Sequence, residues 1–269
     1  MKQKVVYIIL AVICILVIGI ACFIISDKKL NLDSKTINKL YNYLGSTDIY
    51  HCGGLITYGD KTITNSDLSL ENTLCMAYYN LDGETISSGN FKVTGKNSNN
   101  LEVCKIGEDA TLATSDDKKE KCYYSTFNKD SLNKAYNDLY GKNIDDYTKF
   151  SIASDKICVL DKENYYCGVA ENFNYYLAPD ATIMRLKNKA IKKHNGDIVI
   201  YDYFLKIADN KCYSSNTTTE ENTNCTNNIP TDINNIDAEF VKKYGTLYKH
   251  TFKAAKNDEY YWLQSEIKN

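Results

Sequence analysis

The sequence predicts an α+β domain, short helices packed on antiparallel sheet, preceded by one N-terminal transmembrane helix. Three observations support this. The chain opens with an uncharged apolar run from Val5 to Ile25. Eight cysteines lie beyond it, an even number, as a disulfide framework requires. Short apolar stripes at helical spacing then alternate with strand-like segments separated by turn residues.

The run Val5–Ile25 is interrupted only by Tyr7, Cys14, Gly19 and Cys22. About 20 apolar residues at roughly 1.5 Å each cross a hydrocarbon core of about 30 Å, and in lipid the backbone must satisfy itself as a helix. Residues 1–4 are then a cytoplasmic tail, 5–26 an uncleaved signal anchor, and the rest lies outside, since Lys2 and Lys4 precede the run. A cleaved signal peptide has a shorter apolar core of about 7–15 residues. A lipoprotein reading rests on Ala21-Cys22, but Gly19 stands where a larger aliphatic residue belongs and the residues after Cys22 are still apolar.

Beyond residue 26 lie all 34 acidic residues and all of the 32 basic ones except Lys2 and Lys4, a formal charge of −4. Nothing in that near-neutral balance recruits nucleic acid or an anionic membrane surface. Arg185 is the only arginine, which excludes an anion clamp built from several guanidinium forks.

The eight outer cysteines are Cys52, Cys75, Cys104, Cys122, Cys158, Cys167, Cys212 and Cys225. They admit roughly a hundred pairings. Short loop closure favours neighbours: Cys52–Cys75, Cys104–Cys122, Cys158–Cys167 and Cys212–Cys225. The third pair is the best founded, because two short strands around a turn at Lys162-Glu163 set its cysteines opposite each other.

In chain order, Ser34–Leu44 is an amphipathic helix with stripe Ile37, Leu40, Tyr41 and Leu44, capped by Ser34 or Asp33 and stopped by Gly45. Residues 47–64 are strand-like around Gly53-Gly54 and Gly59-Asp60. A second helix spans about Asp67–Leu81, and 84–126 are short strands broken by polar loops at 96–100 and 115–121. A third helix, Asp130–Tyr140, stops at Gly141 and partly repeats the first, which suggests two modules, 27–126 and 127–269, or one domain made of both. Asn195-Gly196 predicts a two-residue type I′ hairpin, which needs positive φ at both residues. In that register Leu186 faces Leu205, Ala190 faces Tyr201, Met184 faces Ile207, and Lys189 faces Asp202 on the opposite, outer face of a one-sided sheet. Ser214–Asn228 reads as a mobile low-complexity loop, Asp237–Tyr244 as a short helix, and Leu247–Phe252 with Tyr260–Ser265 as a closing hairpin.

No motif assigns a catalytic, cofactor-binding or metal-ligating residue. His51-Cys52 would point to opposite faces of a strand and so cannot pair as base and thiol. His51, His194 and His250 lack zinc-ligand spacing. Asp116-Asp117 and Asp145-Asp146 read as solvated turns. Tyrosine doublets at 78–79, 123–124, 165–166, 175–176 and 260–261 suit half-buried strands, and their outer rings suit a protein or cell-envelope glycan partner.

The ending Tyr244-Gly-Thr-Leu-Tyr-Lys-His-Thr-Phe-Lys, followed by Tyr260-Tyr-Trp, resembles the C-terminus of uncharacterised membrane-anchored exported proteins of low-G+C Gram-positive bacteria. That resemblance implies a cell-surface location. The sequence thus points to a membrane-anchored extracellular binding module without a cofactor. The alternative is an anchored cell-envelope hydrolase whose carboxylates converge only in the fold.

Overall fold

A computed structural model describes residues 27–45, 57–98, 100–106, 110–114, 120–144, 147–153, 155–171 and 181–268. The chain enters through β1 (Lys28–Lys29). The Ser34 hydroxyl accepts from the Ile37 amide and caps α1 (Lys35–Asn42), and Gly45 ends that turn at φ 102°. After β2 (Ile63–Thr64), Ser69 caps α2 (Leu70–Tyr79). Five strands follow: β3 (Ser87–Lys92), β4 (Gly95–Lys96), β5 (Glu102–Ile106), β6 (Ala110–Ala113) and β7 (Lys121–Asn128). Asn128 caps α3 (Lys129–Tyr140), which closes on Gly141 in the left-handed conformation. Then come β8 (Lys149–Ala153), β9 (Lys156–Asp161), β10 (Asn164–Val169), β11 (Ala181–Lys192), β12 (Ile198–Ala208) and β13 (Lys211–Tyr213). The chain finishes with α4 (Thr223–Thr226), α5 (Ala238–Tyr244), β14 (Thr246–Ala254) and β15 (Tyr260–Ile267).

These elements build three antiparallel sheets. The largest runs β1-β11-β12-β14-β15-β2, with β13 also on β12; the second runs β3-β7-β10-β9-β8; the third is β4-β5-β6. Helices α1–α3 lie between the first two sheets, and the main core fills that space with Ile37, Leu40, Leu74, Leu132, Leu139, Phe150, Tyr165, Phe204, Phe252 and Trp262. A second core, around Cys104, Leu112 and Cys122, joins the third sheet to the outer side of the second. A third, around Leu205, Ile207, Val241 and Tyr244, seats α5 on the outer side of the first sheet. The α+β expectation holds. The line at 126/127 falls inside β7, and the main core draws on both sides of it.

Three expected disulfides are present. Cys104–Cys122 ties β5 to β7 (Cα–Cα 6.0 Å), Cys158–Cys167 crosses β9 and β10 (4.0 Å), and Cys212–Cys225 ties β13 to α4 (5.8 Å). The second follows from the two-residue turn Lys162-Glu163, which sets Cys158 opposite Cys167. Cys75 is buried on α2, but its expected partner Cys52 lies outside the described residues. So do the span 5–26, His51, Gly53-Gly54, Asp116-Asp117, Asp145-Asp146 and Tyr175-Tyr176. Among the described residues no helix is long and apolar enough to cross a membrane.

Three expectations need correction. The hairpin at Asn195-Gly196 has a three-residue loop: the Lys193 amide bonds the Asp197 carbonyl, and Lys192 faces Ile198. Positive φ falls on Gly196 (92°) and not on Asn195, so a type I turn followed by a glycine bulge replaces the type I′ turn. Ala190 therefore faces Ile200 and Lys189 faces Tyr201, and further along Leu186 faces Tyr203 and Met184 faces Leu205 in place of the expected Leu205 and Ile207. Second, the sheet is two-sided. Ile198, Ile200 and Phe204 face the helices, while Leu205 and Ile207 face α5, so β12 is buried on both faces. Third, 214–228 packs against the domain: Ser215 and Cys225 are fully buried, and Asn222 caps α4.

Candidate functional site

The densest meeting of polar side chains lies inside the main core, on the helix-facing side of the largest sheet. Period-two alternation puts Asp202 of β12 and Tyr248 and His250 of β14 on that face. Two bulges bring in the rest. In β15, Trp262 pairs with Phe252 and Gln264 with Thr251, so Leu263 is the extra residue and turns out to solvent. Trp262 and Ser265 consequently share the inner face. In β11, Lys187 pairs with Asp202 and Lys189 with Tyr201, which leaves Asn188 extra and aims Arg185 and Lys187 inward together with Ala190.

Asp202 is fully buried and accepts three hydrogen bonds. Its Oδ2 takes the Tyr41 hydroxyl at 2.7 Å and the Tyr58 hydroxyl at 2.6 Å, and its Oδ1 lies 2.8 Å from His250 Nε2. His250 Nδ1 is 2.6 Å from Ser265 Oγ, which also accepts the Trp262 indole N–H at 3.0 Å. The Asp202 carboxylate can only accept, so His250 presents an Nε2–H to it. Opposite the carboxylate, the Arg185 guanidinium carbon stands 4.4 Å over the Tyr41 ring, and Nη1 donates to the Tyr58 hydroxyl at 3.4 Å. The Tyr58 ring stacks on Phe204 at 4.7 Å and meets Tyr248 and His250 edge-on, each at 4.9 Å.

Burial first, and then the Asp202 carboxylate, push the Tyr41 and Tyr58 phenols well above their ordinary range. Burial works to lower the Arg185 guanidinium. Tyr58, Tyr41 and Asp202 more than offset it, and the net direction is upward. Arg185 and Asp202 thus face each other across the Tyr58 hydroxyl, which accepts from the guanidinium and donates to the carboxylate.

Ser265, His250 and Asp202 stand in the chain expected of an acyl-transfer relay, and the sequence reading did not find them. All three are completely buried, and the serine oxygen is occupied by the indole. A nucleophile needs a reacting carbon about 3 Å from its oxygen, and close-packed core fills that space here. The cluster ties β12, β14, β15 and α1 together. His250 is the packed strand residue the sequence suggests. His194 sits exposed on the β11–β12 turn and joins no cluster. Among the described residues, no three His, Cys, Asp or Glu side chains gather as metal ligands.

Two surface concavities of about 510 Å³ each accompany the first sheet. One borders α5 with Asp237, Phe240 and Lys243; the other lies at the far end of the β11–β12 hairpin with Ala181, Asp209 and Ile233. On the outer face of the second sheet, Phe91, Tyr124 and Tyr166 pack as a trio with ring centres 4.5–5.3 Å apart. Tyr124 lies directly over Gly89, its cross-strand partner, where a side chain would collide with the ring. Of the doublets, Tyr165 is buried, Tyr78, Tyr79, Tyr166, Tyr260 and Tyr261 are half-buried, and Tyr123 is exposed at 45 %.

No known protein family, curated protein or solved structure matches the chain.

Proposed function

We propose that this protein is a domain displayed on the outer side of a membrane by the span Val5–Ile25, and that it acts by binding a protein or a glycan of the cell envelope. The observation that carries the reading is the set of three disulfides, one in each of the three core clusters. Such bonds persist in oxidising compartments and are rare where thiols are kept reduced. The apolar run and the C-terminal resemblance support the same location. The binding role is supported by the exposed ring of Tyr123 and the half-buried rings of Tyr124 and Tyr166 on the second sheet.

The test is fractionation with protease applied to intact cells. The expected result is a chain that stays with membranes through alkaline carbonate washing and is degraded by external protease without lysis. A chain found in the soluble cytosolic fraction, or degraded only after lysis, overturns the location. Turnover of envelope glycans or peptides by the purified chain overturns the binding role in favour of a hydrolase.

A further inference from the structure

The point where the chain enters the domain fixes which end of the first sheet lies nearest residues 5–25. β1 pairs antiparallel with β11, Lys28 opposite Lys192 and Lys29 opposite Ile191, and the Leu30 amide continues the pairing to the Ala190 carbonyl. The chain therefore enters at the β11–β12 turn and runs away from it. Asp27 is bound there by Lys193. The β14–β15 turn lies at the same end: Asp197 accepts from the Ala254 amide at 3.0 Å, and Lys192 reaches Asp258 at 3.9 Å.

These two turns and β1 carry six lysines, Lys28, Lys29, Lys192, Lys193, Lys253 and Lys256, against Asp27, Asp197, Asp258 and Glu259. Lys193 and Lys192 are engaged by Asp27 and Asp258, and Asp197 is turned onto backbone and Asn195. Lys28, Lys29, Lys253 and Lys256 are all exposed and stand with Glu259 alone. This end is net positive in a domain whose formal charge is −4.

We infer that this end of the sheet rests on the membrane surface, with Lys28, Lys29, Lys253 and Lys256 on the headgroups of anionic phospholipid. The inference rests on the anchored reading above and deepens it. A lysine is attracted to an anionic bilayer surface over about a Debye length, and the four residues sit on the chain segment leaving the membrane or on turns bonded to it. The 12-residue strand β11 then stands off the bilayer and, at about 3.3 Å per residue, carries Ala181, Asp209 and Asn210 roughly 36 Å outward. The concavity at that far end is turned toward the cell exterior.

Amine footprinting of the full chain tests this, in nanodiscs of phosphatidylcholine alone and of phosphatidylcholine with phosphatidylglycerol. Labelling of the four lysines is expected to fall about fivefold in the anionic discs, the factor that attraction of one lysine to such a surface implies. Lys211, at the opposite end of the sheet, labels equally in both. The double variant Lys253→Glu, Lys256→Glu, at exposed positions, removes the difference at Lys28 and Lys29. Equal labelling in the two lipids overturns the inference and leaves the anchor standing. Equal protection in both lipids overturns it too, since shielding would then not depend on lipid charge. A chain that does not insert into discs at all overturns the anchored reading and this one with it.

Discussion

Replacing Asp202 by asparagine removes one buried charge while keeping the shape of the side chain. The Asn oxygen can still accept from His250 Nε2, and the two tyrosine hydroxyls can rotate to accept from its amide. The contacts are thus kept, but both phenol protons lose their acceptor, and this adds to the loss of the counter-charge facing Arg185. Removing one member of a buried ion pair costs about 3–5 kcal/mol, because the other charge is left uncompensated. Arg185 is only half-buried and meets Asp202 through the Tyr58 hydroxyl and not by direct contact, so the lower end, about 3 kcal/mol, is the expected loss. In a domain of ordinary stability, about 5–15 kcal/mol, such a loss is readily measured. Arg185→Met is expected to cost a similar amount by the same argument. The double variant loses no more than either single one, a coupling of about 3 kcal/mol. Urea unfolding of the oxidised chain, followed by the fluorescence of its single tryptophan, reads this directly, since Trp262 is bonded into the same network. A loss below about 1 kcal/mol for Asp202→Asn, or losses that simply add, would refute the claim that these two charges hold the core together.

Replacing both Cys158 and Cys167 by alanine opens a short loop, nine residues in separation, and should lower stability by about 3 kcal/mol in the same unfolding assay; an unchanged midpoint would contradict it. Gly168→Ala drives a methyl to 2.7 Å from the Tyr123 carbonyl oxygen and 2.8 Å from Leu112, and should cost about 1–3 kcal/mol. Gly89→Ala meets only the swinging end of the Tyr124 ring and should cost less; the reverse order would show the glycine argument to be mistaken. Tyr41, Tyr43, Tyr58, Tyr140 and Tyr248 are all held upward, chiefly by burial. The folded state thus favours the neutral phenol. Its contribution is intact below the ordinary value near 10 and falls as pH rises above it, by roughly 1.4 kcal/mol per pH unit for each tyrosine in the limit. The five together should remove about 4 kcal/mol by pH 10.5. A melting temperature that stays level from pH 9 to pH 11 would rule this out.

Local signals in the sequence were reliable where one residue decides the outcome. Ser34 caps the first helix and Gly141 ends the third, as their side chains or lack of one require. Lys162-Glu163 sets Cys158 against Cys167 because a two-residue turn leaves one register. The buried network was illegible for a different reason. It depends on three one-residue shifts, at the His194–Gly196 loop, at Asn188 and at Leu263, and each shift exchanges the faces of every residue beyond it. Asn188 and Leu263 carry no glycine or proline to announce a bulge. On sequence alone Asp202 falls on an outer face beside Lys189, because the sheet reads as one-sided; the fold packs helices on that face too and buries Asp202 against His250, which lies 48 positions away. The likeness between residues 38–44 and 133–139 has a local physical counterpart. Both helices pack on β15, and Lys39 reaches Asp138 across them at 3.8 Å.

The central claim is that this chain matures where thiols oxidise, and peptide mapping of the protein isolated from cells, alkylated without reduction, tests it most directly. The account predicts three cross-linked peptide pairs, Cys104 with Cys122, Cys158 with Cys167 and Cys212 with Cys225, and no alkylated thiol at these six positions. Alkylation of all six in the freshly isolated chain would contradict it.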